Sequence, residues 1–220
     1  MTDLPPAIPA ATLILMRQAR AGPPEILMTE RHSGMAFAAG ALVFPGGRID
    51  PEDEAAAAAF SDLPYAAARI AAIRETIEET GLGQDLGRDL AALTPFARWM
   101  PNFRETRRFD TLFFLAEAGG DVGEPVAAEA EAVRAFWGSA TAILADIDAG
   151  RDHAIFPTRR NLERLARFSS IAEAHADAAR HPVTTITPWV EERDGAPHVC
   201  IPEGLGYPVT AEPLETARRR

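Results

Sequence analysis

The chain has 220 residues, of which 47% are hydrophobic and 25% are charged, and its formal net charge is −10. This composition is ordinary for a soluble globular protein, and the length suits one domain with a sizeable core. The acidic balance argues against a broad surface for nucleic-acid polymers or anionic membranes.

The chain contains a single cysteine, Cys200, so an intrachain disulfide is excluded. Because Val199 and Ile201 flank it, we expect a small buried hydrophobe rather than a nucleophile. Residues 1–17 lack the basic start of a signal peptide, and no apolar run is long enough to span a bilayer. We therefore expect no membrane partner and a cytoplasmic location.

The first third of the chain predicts strands. Residues 1–10 are proline-rich and are expected to form an extended N-terminal extension. The apolar runs 11–17 and 25–30 predict two strands, and the Gly-Pro-Pro turn between them predicts a hairpin. Residues 35–44 are apolar and small, which predicts a further strand close to other backbone.

Two helices are predicted next. Asp50 and Pro51 favour a helix start, the alanine run 55–59 favours its continuation, and Leu63-Pro64 ends it. The second helix is predicted over 65–80, with Gly81 as its C-terminal stop.

The second helix carries an apolar stripe and an acidic face. Three isoleucines fall within an arc of about 60°: Ile70, Ile73 and Ile77. Three glutamates fall on roughly the opposite side: Glu75, Glu78 and Glu79. Carboxylates at these spacings repel one another, and Arg74 is spaced to pair with Glu78 alone. A hard divalent cation, Mg²⁺ or Mn²⁺, would offset the repulsion between Glu75 and Glu79.

A solvated acidic face is the alternative interpretation of these glutamates. Their surroundings favour a site instead. Phe44-Pro-Gly-Gly47 reads as a strand end running into a turn before the helix, and Gly81 ends the helix directly after the glutamates. This order of strand, glycine loop and acidic helix predicts a metal site where the loop meets the helix.

The second half of the chain mixes strands and helices. Strands are predicted over 96–100, 107–116 and 131–137, with a glycine-rich acidic loop at 117–125. Helices are predicted from three cap residues: Ser139 to Ala149, Thr158 to Phe168, and Ser170 to His181. Two short strands at 183–187 and 198–201 are expected before a solvated tail at 209–220.

The central segment resembles a known family. Arg74-Glu75-x-x-Glu78-Glu79-x-Gly81-Leu82, preceded by Gly46-Gly47-x-Ile49-Asp50-Pro51, is similar to the Nudix box. The chain departs from the box in three places. Asp53 stands where the box has Glu, Thr76 stands where it has a hydrophobic residue, and about 54–64 is an insertion.

Three further segments resemble an insertion-containing Nudix subgroup, similar to the mammalian mitochondrial and peroxisomal coenzyme A diphosphatases. They are Arg98-Trp99-x-Pro101, Arg107-Arg108-Phe109-Asp110-Thr111-x-Phe113-Phe114 and Pro157-Thr158-x-x-Asn161-Leu162. The resemblance covers most of 11–208 and implies a single α/β domain there. Its implied fold is a three-layer α/β/α sandwich with a mixed sheet and extra C-terminal helices at about 157–182.

The resemblance implies a hydrolase, dependent on Mg²⁺ or Mn²⁺, that cleaves the diphosphate linkage of a small molecule. The substrate class is a nucleoside diphosphate linked to another moiety, with a coenzyme A-type compound as the specific expectation. The implied catalytic residues are Arg74, Glu75, Glu78 and Glu79, and the three glutamates are the implied metal ligands. The implied substrate-binding residues are Gly46, Gly47, Arg48, Arg107 and Arg108.

Several roles stay open at this point. The general base is to be sought among Glu75, Glu129 and Glu131. Arg104 is a further candidate phosphate clamp, and Phe103 could stack on a base; Trp99 is expected in the core. A Nudix-like sensor that binds such a ligand without cleaving it is the alternative function, and a homodimer is an open alternative to a monomer.

Overall fold

The computed structural model describes residues 5–35, 38–101, 108–120, 122–128 and 132–219. An eight-stranded mixed sheet forms its centre, and a three-stranded antiparallel sheet lies beside it. The strands of the central sheet are β1 Ile8–Arg17, β2 Glu25–Arg31, β3 Leu42–Val43, β4 Gly46–Arg48, β5 Thr94–Trp99, β6 Phe109–Glu117, β7 Ala132–Ser139 and β8 Thr185–Ile186. The small sheet contains β9 Trp189–Arg193, β10 Ala196–Cys200 and β11 Ala211–Pro213.

Strand β1 organises the central sheet. It pairs antiparallel with β2 near its end and with β4 near its start, and it runs parallel to β6 on its other side. Beyond β6 lie β5 and then β8. The expected hairpin of the first two strands is therefore confirmed, as is a sheet of mixed direction.

The described residues include six α-helices: α1 Pro51–Ala57, α2 Ala66–Thr80, α3 Ala140–Asp148, α4 Phe156–Leu165, α5 Ile171–Arg180 and α6 Leu214–Arg219. Alternate residues of β1 point to opposite faces of the sheet. Leu13 and Leu15 pack with α2, whereas Ile14 and Met16 pack with α3, α4 and α5. The result is the expected α/β/α sandwich with extra C-terminal helices.

The prediction of a strand over 35–44 is wrong for most of these residues. Only Leu42–Val43 is a strand, and Ala36 and Phe37 lie outside the described residues. Ala38 and Gly40 have φ angles of 51° and 69°. These left-handed values turn the backbone and are incompatible with an extended strand. The glycines predicted as a turn, Gly46 and Gly47, instead lie in a strand, β4.

The helix caps are partly as expected. Ser139 and Ser170 accept hydrogen bonds from the N–H groups of Ala142 and Glu173, so both caps are confirmed. Thr158 is not a cap, because α4 begins at Phe156. Pro157 explains the earlier start, since its fixed φ and missing N–H suit the first helical turn.

The expected tail at 209–220 contains structure. Strand β11 pairs with β10, and helix α6 follows it directly. Glu212 on β11 is buried and lies 3.1 Å from the guanidinium of Arg160 on α4. This ion pair ties the end of the chain to the helical layer.

Two further predictions from the sequence concern the burial of Cys200 and the presence of membrane-spanning helices. Cys200 is buried, as predicted, and burial raises the pKa of its thiol. In the part of the chain that the structure describes, no helix combines the length and the apolarity needed to cross a bilayer.

Candidate active site

Helix α2 meets the sheet through a different face from the one predicted. Of the three isoleucines, only Ile73 is buried, whereas Ile70 and Ile77 are half-buried at the margin of the core. The contact face is built from smaller side chains: Ala68, Ala71, Ala72, Thr76 and Thr80. Small residues let the helix lie close to β1, and the Thr76 hydroxyl donates to the Ala72 carbonyl at 2.7 Å, so this buried polar group is satisfied.

Because α2 packs on the sheet through this other face, Glu79 is buried, although it was expected on the exposed face. Glu79 is 3% exposed. The N–H groups of Val126 and Ala128 donate to the carbonyls of Thr80 and Glu79 at 3.0 Å each, so this segment covers the last turn of α2. The Glu79 side chain lines a cavity rather than facing open solvent.

The glycine pair makes room for the first glutamate. A Cβ at Gly47 would lie 2.4 Å from Cδ of Glu75 and 2.5 Å from both of its carboxylate oxygens. A Cβ at Gly46 would lie 2.6 Å from Oγ1 of Thr12 on the neighbouring strand. At Gly46 a Cβ would also collide with the Ala11 carbonyl oxygen, so the backbone itself requires glycine there. At Gly47 the Glu75 carboxylate lies directly against the backbone of β4 and would have to move to admit a Cβ.

Arg74 sits among acidic side chains. Its guanidinium donates to both carboxylate oxygens of Asp53, at 2.8 and 3.1 Å, and to Glu75 and Glu78 at 2.9 and 3.1 Å. It also donates to the Arg48 carbonyl at 3.0 Å. The expected pair with Glu78 is confirmed, but the expectation that Glu75 lacks a cation is wrong. The cause is the length of the Arg74 side chain, which bridges to its sequence neighbour.

Asp53, which replaces the Glu of the usual box, fulfils two structural roles. It accepts from the N–H of Asp50 at 2.9 Å at the start of α1, and it binds Arg74. Burial acts to raise the pKa of Asp53, but the hydrogen bonds from Arg74 and Asp50 outweigh it and hold that pKa below its usual range. Asp53 thus stays ionised at neutral pH and anchors Arg74 beside the site.

A cavity of about 550 Å³ opens next to the glycine pair. Glu75 and Glu79 reach it from α2, Arg48 from β4, and Arg108 from the position directly before β6. The Arg108 Nε is buried and makes no hydrogen bond within the described part of the chain. Carboxylates and guanidinium groups thus share one cavity, an arrangement suited to a phosphorylated ligand that carries a cation.

The predicted site residues do not all meet there. Among the described residues, Gly46, Gly47, Arg48, Glu75, Glu79 and Arg108 line the cavity, whereas Arg74 and Glu78 do not. The Glu78 side chain is 58% exposed and bound to Arg74. Five candidates lie outside the described residues: Phe103, Arg104, Arg107, Glu129 and Glu131.

Other cavity residues escaped the sequence reasoning. Arg31 comes from the end of β2, Thr111 from β6 and Thr158 from the first turn of α4. Arg31 belongs to none of the motifs recognised in the sequence. It comes near the cavity only because strands that are distant in sequence pair with one another. Trp99 was expected in the core; it is 1% exposed and also forms part of the cavity wall.

The donors present suit a hard divalent cation. Within the described ranges, no group of three or more His, Cys, Asp or Glu side chains is placed to hold an ion. Mg²⁺, however, commonly uses one or two carboxylates, with water and substrate phosphate oxygens completing its octahedral shell. Glu75 and Glu79, together on the cavity wall, meet that smaller requirement.

Replacing Gly47 with alanine is expected to reduce turnover at least tenfold. The new methyl group would collide with the Glu75 carboxyl, which must move away from the cavity wall. Gly119→Ala is the matched control, because a Cβ there meets nothing within 4 Å. Steady-state kinetics of both variants check this, and equal activities would show that the position of Glu75 is unimportant.

Comparison with solved structures finds the following neighbours. A NUDIX hydrolase from Alicyclobacillus acidocaldarius is 28% identical, covers 80% of this chain and 97% of its own, and has a TM-score of 0.68. The NUDIX domain of Shewanella oneidensis NrtR in complex with ADP ribose is 15% identical and has a TM-score of 0.48. Its alignment covers 74% of this chain and 88% of the NrtR domain. A MutT protein from Methanosarcina mazei is 21% identical and has a TM-score of 0.47. Its alignment covers 74% of this chain and 94% of the MutT chain.

No protein-family model and no curated protein matches the sequence. The comparison therefore rests on the NUDIX hydrolase from Alicyclobacillus acidocaldarius, because the alignment covers four-fifths of this chain and nearly all of that protein. The two segments that resemble the box meet at one cavity through Gly46, Gly47, Glu75 and Glu79. The fold, this neighbour and the retained box residues together support placing the chain in the Nudix superfamily.

Proposed function

We propose that this protein is a Nudix pyrophosphohydrolase that uses a divalent metal ion to hydrolyse a phosphorus anhydride in a small molecule. The observation that carries the proposal is the meeting of Glu75, Glu79 and Arg108 in one cavity beside Gly47. Carboxylates alone would suit a metal store, and guanidiniums alone would suit an anion site. Their combination suits a metal-bound diphosphate.

Each group has a role in this proposal. Glu75 and Glu79 would hold Mg²⁺ or Mn²⁺, which when bound would polarise the phosphoryl oxygens and lower the pKa of a coordinated water. Arg48 and Arg108 bind the non-bridging phosphate oxygens, and the backbone of Gly46 and Gly47 allows their close approach.

Arg74 and Glu78 act from outside the cavity in this proposal. Arg74 binds Glu75 at 2.9 Å and is itself fixed by Asp53, so it sets where the Glu75 carboxylate can lie. Glu78 pairs with Arg74 and has no place on the cavity wall among the described residues. We therefore assign these two residues to positioning and keep Glu75 and Glu79 as the ligands.

The substrate is proposed to be a nucleoside diphosphate linked to another moiety. The cavity has an apolar part, built from residues such as Val43, Phe44 and Phe113, next to its charged part. Such a division suits a ligand with a diphosphate and a less polar group. A coenzyme A-type compound is the specific candidate, and it rests on the resemblance of Arg107 to Phe114 and of the insertion.

The test is release of a nucleoside monophosphate or its analogue from a substrate panel, with Mg²⁺, with Mn²⁺ and with excess chelator. The panel contains coenzyme A esters, NADH, ADP-ribose and dinucleoside polyphosphates. We expect turnover with metal and at least a hundredfold loss in chelator, because the carboxylate pair cannot neutralise phosphate charge by itself. Turnover that persists in chelator would overturn the metal role.

The same panel separates the substrate classes. Nucleoside triphosphates complete the panel, and cleavage restricted to them would remove the coenzyme A-type candidate while leaving the hydrolase assignment intact. Tight binding of a panel member without any cleavage, in either metal, would favour the alternative of a ligand sensor.

A further inference from the structure

We propose that the N-terminus of α4, together with the Thr158 hydroxyl, is a second anion subsite of the cavity, which takes a phosphate monoester that the substrate carries away from its anhydride. The inference rests on the proposed function for its ligand class. The residues that carry it lie outside the two segments that resemble the Nudix box.

The first turn of α4 borders the cavity. The residue before the helix, Ile155, and its second and third residues, Pro157 and Thr158, all line the cavity. The loop before the helix is tied to β3, because the Leu42 N–H donates to the His153 carbonyl at 2.7 Å. This contact fixes where the helix starts relative to the sheet.

No side chain caps this end of α4. Its N-cap residue, Ile155, has no polar side-chain atom, and its first turn contains no acidic residue. Within the described ranges, the N–H groups of Phe156 and Thr158 make no hydrogen bond. Because unsatisfied N–H groups and the helix dipole both favour negative charge, the end of the helix is suited to an anion.

The Thr158 side chain gives a second and independent indication of a ligand. Thr158 is 3% exposed, and in the part of the chain that the structure describes its hydroxyl has no hydrogen-bond partner. The buried threonines of α2 behave differently, since Thr76 and Thr80 donate to carbonyls one turn earlier at 2.7 and 2.6 Å. Buried hydroxyl groups normally have a partner. Because Thr158 lines the cavity, a ligand bound there can supply it.

The strand register separates the start of α4 from the glycine pair. Ala10 on β1 pairs with Arg48 on β4 on one side and with Thr111 on β6 on the other. Thr111 pairs in turn with Trp99 on β5, and the Phe156 ring packs edge-to-face on that buried indole with centroids 6.0 Å apart. Two inter-strand spacings, or about 10 Å, lie between β4 and β6. Two neighbouring phosphates of one anhydride do not span that distance, so the subsite suits a separate anionic group.

The donors at the subsite favour a phosphate monoester over a carboxylate. The N–H groups of Phe156 and Thr158 and the Thr158 hydroxyl are three donors within one helical turn. A phosphate monoester has three terminal oxygens that accept hydrogen bonds strongly, whereas a carboxylate has two oxygens. Arg108 lines the same cavity and adds positive charge to it.

The experiment measures binding rather than turnover. Isothermal titration with Mg²⁺ compares AMP with adenosine 2′,5′-bisphosphate and adenosine 3′,5′-bisphosphate, which add one phosphate monoester at different positions. None of the three contains an anhydride, so none is hydrolysed by the proposed activity. We expect at least one bisphosphate to bind the wild type roughly tenfold or more tightly than AMP does, because hydrogen bonds to a charged group are stronger than neutral ones.

Substitutions of Thr158 test its hydroxyl directly. Thr158→Val keeps the shape of the side chain but removes the donor, and it should weaken the preferred bisphosphate roughly 3- to 10-fold without changing AMP. Thr158→Ser keeps a hydroxyl and should retain most of the preference. Thr158→Ala replaces the valine variant if that protein fails to fold.

Thr141→Val is the matched control. Thr141 is an exposed threonine in the first turn of α3 and, among the described residues, it does not line the cavity. This variant should bind all three nucleotides as the wild type does.

The outcomes separate this inference from the proposed function. A bisphosphate preference that depends on the Thr158 hydroxyl, in a protein that cleaves no panel substrate, would support the subsite while the hydrolase assignment fails. Three results would each overturn the subsite even if the protein is a hydrolase: a wild type that binds neither bisphosphate more tightly than AMP, a Thr158→Val protein with an unchanged preference, or equal weakening of AMP and the bisphosphate.

Discussion

Replacing Glu75 or Glu79 with glutamine is expected to lower kcat at least about a hundredfold, whereas Glu78→Gln should retain most of the activity. Loss of an outer-shell partner already costs about 10–100-fold in metal affinity or activity, so loss of a direct ligand should cost more. Glu75 and Glu79 share the cavity wall, and Glu78 points to Arg74. Steady-state kinetics at saturating Mg²⁺ give the comparison.

Thermal unfolding with and without metal distinguishes lost binding from lost structure. The wild type should melt at a higher temperature with Mg²⁺ or Mn²⁺, because an ion bound by the folded state alone stabilises it by mass action. Glu75→Gln and Glu79→Gln should lose most of that gain, and Glu78→Gln should keep it. A Glu78→Gln protein as inactive as the other two would show that the third glutamate is also a ligand.

Asp177→Asn is expected to lower the free energy of unfolding by about 3–5 kcal/mol, the largest stability effect we predict for a single side chain. Asp177 and Arg164 are each 1% exposed, and Oδ2 lies 2.8 Å from both Nε and Nη2 of Arg164. Removing the carboxylate charge leaves a buried guanidinium without its counter-ion. The remaining bond from Arg164 to the Phe96 carbonyl, at 3.0 Å, cannot replace that charge.

Asp146→Asn is the matched control for this ion pair. Asp146 binds Arg151 through side chains that are 43% and 64% exposed, and exposed pairs contribute at most about 1 kcal/mol. Urea unfolding of both variants and the wild type measures the difference. If Asp177→Asn lost no more stability than Asp146→Asn, the buried pair would not be a main support of the helical layer.

Short-range signals in the sequence predicted the scaffold well. The two apolar strands of the hairpin, the caps Ser139 and Ser170, and the extent of α2 up to Gly81 were confirmed, because each depends on chemistry within a few residues. The strand predicted over 35–44 failed for a local reason that composition does not reveal. Ala38 adopts a left-handed φ that alanine rarely takes.

The orientation of α2 depended on a property that periodicity does not measure. Two of the three isoleucines, Ile70 and Ile77, lie at the edge of the core, whereas Ala72 and Thr76 face the sheet. Close approach of helix and sheet favoured the smaller side chains. For the same reason Glu79 is buried, and the simple division into an apolar stripe and an exposed acidic face was wrong.

Several cavity residues depend on long-range pairing. Arg31, Thr111 and Trp99 come from three different strands, and Thr158 comes from α4. The neighbouring positions of Thr111 and Trp99, for example, follow from the register of β6 with β5, which no local pattern specifies. The contact between Tyr207 and Trp99 spans a sequence separation of 108 residues and was likewise outside the reach of the sequence motifs.

The measurement that tests the central claim most directly is ³¹P NMR of ADP-ribose and of a coenzyme A ester incubated with the purified protein and Mg²⁺. Hydrolysis of the anhydride should replace the paired diphosphate resonances of at least one of them with phosphomonoester resonances, and Glu79→Gln should leave the spectrum unchanged over the same period. Diphosphate resonances that persist with the wild-type protein, in Mg²⁺ and in Mn²⁺ and across the whole substrate panel, would contradict the assignment of this protein as a pyrophosphohydrolase.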